Sequence, residues 1–223
     1  MSGTLSVVAT PIGNLGDITL RALETLKQAD AIACEDTRVS AKLLARYDIS
    51  KPLLIFHARS GQRAASRVLA LLAEGKRVAL ITDAGTPGIS DPGTALVKDA
   101  RAIGARVEAI PGPSALTAAL SIAGVPADEF VFLGFPPHKK GRQTFFKNLV
   151  REEGTVVFYE SPHRVLKALT ALASALPTRP LTICRELTKI HESVLSGTAA
   201  ELAAHFAAHP GEVRGEFVVI VAP

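Results

Sequence analysis

Short apolar runs alternate with amphipathic stretches along the first half of the chain. The runs at 5–9, 31–34, 53–56, 78–81 and 107–110 have the length and composition of buried strands. Segments 18–28, 69–74 and 95–103 lie between them and have apolar residues at helical spacing. This alternation of strands and helices predicts a mostly parallel sheet that is covered by helices.

A break rich in glycine and proline near residues 111–137 precedes a second set of alternating elements. A small helix is predicted after Pro113, and it ends at Gly124. The further predicted strands are 130–133, 155–159, 181–185 and 216–221, and the predicted helices are 143–150, 165–176 and 199–208. The fold class is therefore predicted as α/β, with two α/β domains at 1–113 and 114–223.

Composition narrows the class of protein. The 223 residues, 48% of them hydrophobic, suffice for one large or two small domains with proper cores. No run approaches the ~18 apolar residues of a membrane span, and the N-terminus lacks the basic start of a signal peptide. We therefore expect no membrane segment and no leader.

The two cysteines and the net charge add two expectations. Cys34 and Cys184 lie far apart, each within an apolar run, which predicts buried free thiols in a reducing compartment such as the cytoplasm. Neither has a second Cys or His at ligand spacing, so no metal site is expected. The formal net charge of +4 permits an anionic partner such as RNA without requiring one.

The loop DAGTPGISDPG, residues 83–93, directly follows the apolar run 77–82. Loops beyond the carboxyl ends of parallel strands are where such sheets place ligands. Its glycines allow close approach of backbone to a ligand and its prolines stiffen it. The loop has no Lys or Arg but contains Asp83 and Asp91, which favours a neutral or cationic ligand. The alternative is a turn-rich connection without a ligand.

Two further strand-end loops are of the same kind: ATPIGNLGD at 9–17 and IPGPSA at 110–115. In a parallel sheet the three loops emerge at one edge and can line one cleft. None matches the glycine patterns of dinucleotide or triphosphate sites. Ser114 has an alternative role as the N-cap of the helix that follows.

The motif CEDTR places Glu35 and Asp36 just past the end of a strand. Adjacent carboxylates there could act as a general base or orient a hydroxyl. They could equally form a solvated turn with an ion pair to Arg38. The next strand leads into HARSGQR, where His57 is the second candidate base, although a lone histidine is more often structural.

Two basic segments are candidate phosphate contacts. Arg59 and Arg63 lie on what is predicted to be a flexible glycine loop. The segment PHKKGRQTFFK, residues 137–147, supplies Lys139, Lys140 and Arg142 for RNA binding. Its two phenylalanines at 145 and 146 are expected to be the buried face of the following helix.

Three charged residues of the second half, Glu160, Arg185 and Glu186, lie beside apolar strands. A charge buried there without a partner would be costly, so a buried Glu–Arg pair is one interpretation. The other is that these side chains line a cleft between the domains.

Seven motifs occur in order over nearly the whole chain: VATPIGNLGDIT, CEDTR, DAGTPGISDPG, PGPSA, GFPP, YESPHR and CRELTKIHE. Together they resemble the tetrapyrrole methylase superfamily of class III methyltransferases. The resemblance implies two α/β domains, S-adenosylmethionine in the cleft between them, and a homodimer. Within the superfamily, the motifs are most similar to bacterial enzymes that 2′-O-methylate a cytidine ribose in 16S rRNA of the small ribosomal subunit.

The resemblance also implies which residues bind the cofactor. The first domain supplies the substrate-facing and cofactor loops, and the second completes the cleft. The matching positions are Pro11 in the first loop, Gly85, Thr86, Pro87, Ile89 and Ser90 in the second, Ser114 and Ala115 in the third, and Leu187, Phe217 and Val218 in the second domain. Chains of this kind usually continue beyond their last strand, whereas this sequence ends at Pro223, which leaves a truncated form and a short variant as the two alternatives.

The implied reaction is attack of a ribose 2′-hydroxyl on the methyl group of the sulfonium. Glu35 or Asp36 is the first candidate to accept the proton and His57 the second, while Arg38, Arg59 and Arg63 would place phosphates. No metal is required.

Two alternatives remain open: a corrin or porphyrin C-methyltransferase of the same fold, and a non-catalytic ribosome-assembly protein that binds RNA and keeps a relict cofactor site.

Overall fold

The computed structural model describes residues 2–57, 61–91 and 93–223, without the side chains of 61–63. It separates into two compact units, Met1–Ser114 and Ala115–Pro223. Each unit has its own five-stranded sheet and its own helices. The predicted α/β class is therefore confirmed.

The first unit contains a parallel sheet, as predicted. Its strands are β1 (Thr4–Val8), β2 (Ala31–Cys34), β3 (Leu53–Ile55), β4 (Arg77–Leu80) and β5 (Arg106–Ile110), in the order β3-β2-β4-β1-β5. All four pairings between neighbours are parallel. The carboxyl ends of the five strands consequently lie at one edge, and the loops that leave them share that edge.

Helices cover both faces of this sheet: α1 (Leu20–Gln28), α2 (Thr37–Arg46), α3 (Gly61–Ala73) and α4 (Gly93–Ala102). Leu26 of α1 and Leu43 of α2 belong to one hydrophobic cluster. Leu72 of α3 and Leu96 of α4 belong to another. Two separate clusters around one sheet are typical of a doubly covered α/β layer.

The sequence missed α2 and most of α3. Helix α2 begins at Thr37, inside the CEDTR motif, for which a solvated strand-end turn was one of the two interpretations. Helix α3 was predicted from residue 69 but begins at Gly61, because Ala64 and Ala65 pack against the core and extend its buried face toward the N-terminus. The predicted flexible loop at 57–63 is wrong for Gly61–Arg63, which already belong to this helix.

The second unit has a mixed sheet. Its strands are β6 (Phe130–Phe132), β7 (Thr155–Glu160), β8 (Leu181–Arg185), β9 (Ser193–Gly197) and β10 (Phe217–Val221), in the order β6-β7-β10-β8-β9. Only the β6–β7 pairing is parallel, and the other three are antiparallel. The edge strand β9 was not predicted, because its sequence SVLSG is polar at alternate positions and too short to give a strong signal.

The helices of the second unit are α5 (Ala115–Ile122), α6 (Arg142–Asn148), α7 (Pro162–Ala175) and α8 (Ala199–Ala208). The described residues also contain three short 3-10 helices, Leu15–Asp17, Leu149–Arg151 and Pro210–Glu212. Helix α8 begins with a capping box, in which Thr198 and Glu201 satisfy each other's backbone N–H groups. Helices α7 and α8 pack their apolar faces on the sheet. The cluster between them includes Phe206 of α8, Phe158 of β7 and Phe217 of β10.

A buried Glu–Arg pair is present, with partners that differ from the expected ones. The Glu160 side chain is fully buried and pairs with Arg142 at 2.6 Å and with Arg164 at 3.0 Å. The backbone N–H of Ser161 donates to it as well, at 2.8 Å. Arg185 instead donates to the Ser193 hydroxyl at 3.1 Å. The charge of Glu160 is thus compensated inside the second unit, as a buried carboxylate requires.

Both cysteines are buried free thiols, which confirms the expectation from their sequence context. Burial raises the pKa of Cys184 to about 11 and also raises the pKa of Cys34. Thiols with raised pKa values are poor nucleophiles, so both residues serve as packing groups. Within the described part of the chain, no helix has both the length and the apolar character that crossing a bilayer requires.

Candidate active site

Backbone hydrogen bonds join the loop after β1 to the loop after β4. The N–H of Thr10 donates to the carbonyl of Gly85 at 2.9 Å, and the N–H of Gly85 donates back to Thr10 at 3.0 Å. The Thr10 hydroxyl adds a bond to the carbonyl of Thr82 at 3.0 Å. Thr10 is buried, so these bonds form out of contact with solvent. They fix two of the predicted ligand loops to each other.

The loop after β5 is attached to the other two. The Thr86 hydroxyl donates to the carbonyl of Pro113 at 3.3 Å. Gly112 lies so close to the first loop that an added Cβ would be 3.1 Å from Cβ of Ala9. The three loops therefore meet at one edge of the sheet, as the strand pattern predicted. Their role in cofactor binding stays a prediction.

The loop 83–93 has an unusual backbone. Gly85, Gly88 and Ser90 have positive φ values of 82°, 87° and 63°. One carboxylate oxygen of Asp91 closes the loop by accepting the N–H groups of Gly88 and Gly93, each at 2.7 Å. Pro87 is buried, whereas Ile89 and Ser90 are exposed. The predicted cofactor residues Thr86, Pro87, Ile89 and Ser90 thus form one turn, with its exposed side chains at the tip.

Glu35 is placed beside this loop by contacts that cross from β2 to β4. The Thr82 hydroxyl donates to a Glu35 carboxylate oxygen at 3.4 Å. Next to it, the Asp36 N–H donates to the Asp83 carboxylate at 3.1 Å. Thr82 was not singled out in the sequence, although a hydroxyl residue at the end of an apolar strand is a usable signal. The half-buried Glu35 carboxylate is held at the same edge as the three loops.

The surroundings of Glu35 make it a better base than an ordinary glutamate. Burial raises its pKa above 4.5, and the negative charges of Asp83 and Asp91 raise it further. The Thr82 hydrogen bond and the proximity of His57 oppose that shift. A carboxylate with a raised pKa binds a proton more readily, which suits a group that accepts one from a hydroxyl.

Asp36 has a different role from its neighbour. It is the N-cap of α2, where its side chain accepts the N–H of Arg38, and it forms an ion pair with the Arg38 guanidinium at 2.6 Å. These hydrogen bonds lower the pKa of Asp36 to about 2. Such a weak base is ill suited to proton abstraction, so the ion-paired turn, which was the alternative interpretation of CEDTR, describes Asp36 and Arg38.

We expect Asp36→Asn to reveal this structural role through the pH dependence of stability. Asn still caps a helix, so the variant removes the charge and keeps the cap. Because the folded pKa is depressed to about 2 from 3.8, the stabilisation by the charge is present above pH 3.8 and is lost as pH falls toward 2. The melting temperatures of wild type and variant should therefore differ near neutral pH and converge as the pH falls through about 2. A constant difference would contradict this role.

The other first-unit candidates divide into two groups. His57 follows β3 and lies close enough to Glu35 to influence its pKa. Arg59 and the side chain of Arg63 lie outside the described residues. His57 therefore remains a candidate to assist Glu35, and the two arginines remain predictions.

The basic segment of the second unit splits into exposed and buried members. Lys139 and Lys140 are exposed, whereas the Arg142 side chain is 15% exposed and paired with Glu160. Arg142 also lies over the Phe146 ring, with its guanidinium carbon 5.1 Å from the ring centre. Phe146 is buried and Phe145 packs against the core, as expected. The position of Arg142 differs from the exposed site that phosphate contact would favour.

Three positions of the second unit, beyond α5, were matched to cofactor binding through the family resemblance. Leu187, Phe217 and Val218 are all buried. Leu187 lies between Glu186 and Thr188, which have positive φ values of 53° and 67°. Non-glycine residues in this conformation are uncommon, and they cluster at ligand sites. Ser114 and Ala115 mark the end of the first unit and the start of α5.

The edge of the first sheet thus combines close backbone loops with carboxylates and lacks Lys or Arg in the loop 83–93. Such a site suits a ligand that carries positive charge and approaches backbone closely. Across the described ranges, no group of three or more His, Cys, Asp or Glu side chains is arranged to hold a metal ion.

Comparison with known protein families gives one matching family. Residues 4–203 match the family described as Tetrapyrrole (Corrin/Porphyrin) Methylases. Among solved structures, a cobalamin biosynthetic enzyme, cobalt precorrin-4 methyltransferase, is similar with a TM-score of 0.74 at 19% identity, over 98% of this chain and 94% of that one. The methyltransferase CobJ gives 0.71 at 22% identity, over 99% and 94%. These structures show the fold.

Curated relatives are more similar in sequence. A protein of Mesorhizobium japonicum is 50% identical over 98% of this chain and 75% of its own length. One from Xylella fastidiosa (strain Temecula1) is 48% identical over 98% and 81%. One from Thermotoga maritima is 44% identical over 98% of both chains. Each is named Ribosomal RNA small subunit methyltransferase I.

Proposed function

Because this chain belongs to the tetrapyrrole (corrin/porphyrin) methylase family, we propose that it is an S-adenosylmethionine-dependent methyltransferase acting on 16S rRNA. The reaction is methylation of a cytidine ribose at its 2′-oxygen. The observation that carries this proposal is the similarity, over nearly the whole chain, to relatives named as methyltransferases of small-subunit ribosomal RNA. The arrangement of Glu35 beside the three strand-end loops supports the same chemistry.

The residues at the sheet edge fit S-adenosylmethionine. Gly85 has a positive φ and forms an isolated β-bridge with Thr10. Because it has no side chain, a ligand can approach its main-chain groups closely. Asp83, Asp91 and Glu35 supply negative charge near that loop, which suits a ligand with a sulfonium and an ammonium group. The first-unit residues proposed to hold the cofactor are Pro11, Gly85, Thr86, Pro87, Ile89, Ser90 and Ser114. Those proposed from the second unit are Ala115, Leu187, Phe217 and Val218.

When bound, the cofactor supplies an electrophilic methyl group. The task of the protein is then to orient the ribose hydroxyl and to remove its proton. We assign proton removal to the Glu35 carboxylate, which is oriented by Thr82 and has a raised pKa. His57 would assist by placing the substrate or by sharing the proton. Arg38, Arg59 and Arg63 remain candidates for flanking phosphates.

An RNA substrate also fits the charge of the protein. The net charge is +4, and Lys139 and Lys140 are exposed on the second unit. Cations of this kind bind the phosphate backbone without reading sequence.

We further propose that the protein is a cytoplasmic homodimer. Sedimentation of the purified protein at micromolar concentration would test the dimer directly.

The decisive experiment maps ribose methylation by mass spectrometry in 16S rRNA from cells with and without this protein. We expect one cytidine to lose its 2′-O-methyl group in the deletion strain and to regain it on complementation. In parallel, purified protein is offered labelled S-adenosylmethionine with small subunits or with a tetrapyrrole precursor. Methyl transfer to the precursor alone would favour the corrin or porphyrin alternative. Cofactor-independent RNA binding without transfer would favour an assembly protein.

Neutralising Lys139 and Lys140 together should weaken RNA binding and reduce its salt dependence. Each phosphate contact contributes close to one unit to the slope of log affinity against log salt, so Lys139→Gln with Lys140→Gln should lower the slope by up to about two units. Cofactor affinity should stay unchanged. The matched control replaces Lys27 and Lys98, which are exposed on α1 and α4. An equal slope for the Lys139/Lys140 variant and wild type would leave this segment as an ordinary solvated loop.

A further inference from the structure

A single aromatic side chain, Phe135, is exposed in the turn that follows β6. Its exposed fraction is 53%, although it lies between Gly134 and a buried Pro136. Isolated exposed apolar residues are common on protein surfaces and need no explanation by themselves. Two features distinguish Phe135: the rigidity of its support and the lysines that follow it in the chain.

The support of Phe135 is a cluster of aromatic rings in the second unit. Its ring centre lies 5.3 Å from that of Tyr159, at an interplanar angle of 58°. The Tyr159 ring contacts Phe132 in turn, edge to face, at 5.0 Å. Centroid distances of this size are typical of favourable aromatic pairs. The exposed ring is thus backed by two others from neighbouring strands.

The backbone of the turn is fixed as well. Tyr159 donates its N–H to the carbonyl of Gly134 at 2.9 Å, and Gly134 has a φ of +62°. Arg164 donates a long hydrogen bond to the carbonyl of Pro136, at 3.5 Å. Arg142 donates one to the carbonyl of Pro137, at 3.4 Å. Both arginines are anchored by the buried Glu160. A ring that is already ordered loses little entropy when a ligand binds to it.

The chain next to this ring is basic and exposed. Lys139 and Lys140 follow Phe135 within five residues, and both are exposed. A protein partner would be less well matched, because lysine is depleted in the cores of protein interfaces. A rigid aromatic ring with adjacent cations is instead typical of sites for single-stranded nucleic acid, where bases stack and phosphates pair with lysine.

We propose that Phe135 is a stacking platform for an unpaired base of the RNA substrate, with Lys139 and Lys140 holding the adjoining phosphates. This inference rests on the proposed function, since it requires that the substrate is RNA. Phe135 is a substrate-positioning residue with no part in the proton transfer. The buried ion pairs of Glu160 with Arg142 and Arg164 then have a purpose beyond stability, because they hold the turn that presents the ring.

The test measures binding of a labelled single-stranded RNA oligonucleotide to the full chain across a salt series. Phe135→Ala should weaken binding about 5- to 150-fold, the range that corresponds to ~1–3 kcal/mol per stacked base. Stacking is not an ionic contact, so the loss should be the same at every salt concentration, with the slope unchanged. Phe135→Trp and Phe135→Tyr should retain affinity, whereas Phe135→Leu should lose most of it.

The matched control is Phe130→Ala, which removes another exposed aromatic from the same unit, at 41% exposure on β6. It should bind RNA like wild type. Equal binding by Phe135→Ala and wild type would overturn the proposal, as would a leucine variant that binds as well as tryptophan. A change of oligomeric state in sedimentation, with RNA affinity unchanged, would make Phe135 a subunit contact. If wild type methylates RNA while Phe135→Ala binds normally, this inference alone fails; if wild type methylates no RNA, the proposed function fails.

Discussion

Replacing Gly85 by valine is expected to abolish binding of S-adenosylmethionine. Gly85 has a φ of +82°, in the left-handed region that a β-branched residue strongly disfavours. An added Cβ would lie 3.5 Å from Cγ2 of Ile12 and 3.9 Å from the carbonyl of Pro113. The Cβ itself fits, but the two methyl groups beyond it and the backbone strain would displace the loop. The bridge from Gly85 to Thr10 would then open.

Calorimetry with the cofactor measures the effect of this substitution, and circular dichroism checks the fold. The matched control is Gly104→Val, where φ is +76° and no atom lies within 4 Å of an added Cβ. The control has the same backbone strain on a surface turn, so it should lose stability and still bind the cofactor. Binding by Gly85→Val within about twofold of wild type, less than ~0.5 kcal/mol, would show that the loop is not the cofactor site.

Glu35→Gln is expected to lower the single-turnover rate of methyl transfer by at least ~10²-fold, about 2.7 kcal/mol. Glutamine keeps the size of the side chain and its capacity to accept the Thr82 hydrogen bond, but it cannot take a proton. Binding of cofactor and RNA should change far less, because the lost interaction belongs to the transition state.

The pH profile adds a second measurement for Glu35. Its folded pKa is raised, first by burial and then by Asp83 and Asp91. The wild-type rate should therefore rise with pH through a midpoint above the ordinary 4.5 of glutamate, because the deprotonated form is the active one. The glutamine variant should lack this rise, and its deficit should shrink at high pH as hydroxide replaces the base.

Asp36→Asn is the matched control for Glu35→Gln, and it should keep most of the activity. The sequence alone did not separate the two carboxylates, and both were candidate bases. Normal turnover by Glu35→Gln would refute the assignment. His57→Asn would then be the next variant to examine.

The sequence predicted the features that depend on local pattern. Apolar runs located all five strands of the first unit, β1 to β5, and their alternation with helices predicted a parallel sheet. The shared edge of the three loops followed from that topology. Features that depend on distant partners were not predictable. The roles of Glu35 and Asp36 differ because Asp83 and Thr82 approach them from another strand, and no spacing along the chain encodes that approach.

Arg142 illustrates the same limit in the second unit. Its neighbours in the sequence are basic, so it was grouped with Lys139 and Lys140 as a phosphate contact. Its partner Glu160 lies on β7, and the ion pair becomes visible only when that strand and the start of α6 are brought together. Strand β9 and helix α2 were missed for a simpler reason, since their patterns are short or interrupted by charge.

The bridge between Thr10 and Gly85 has a consequence for protein engineering. Its two reciprocal bonds use only main-chain atoms, so most side-chain exchanges in the surrounding loops leave them intact. Libraries that randomise Ile89, which is exposed at the tip of the turn, should therefore yield mostly folded members. Such libraries can be screened with synthetic S-adenosylmethionine analogues that have larger transferable groups, to ask whether the proposed cofactor loop accepts them while its connection to Thr10 is inherited unchanged.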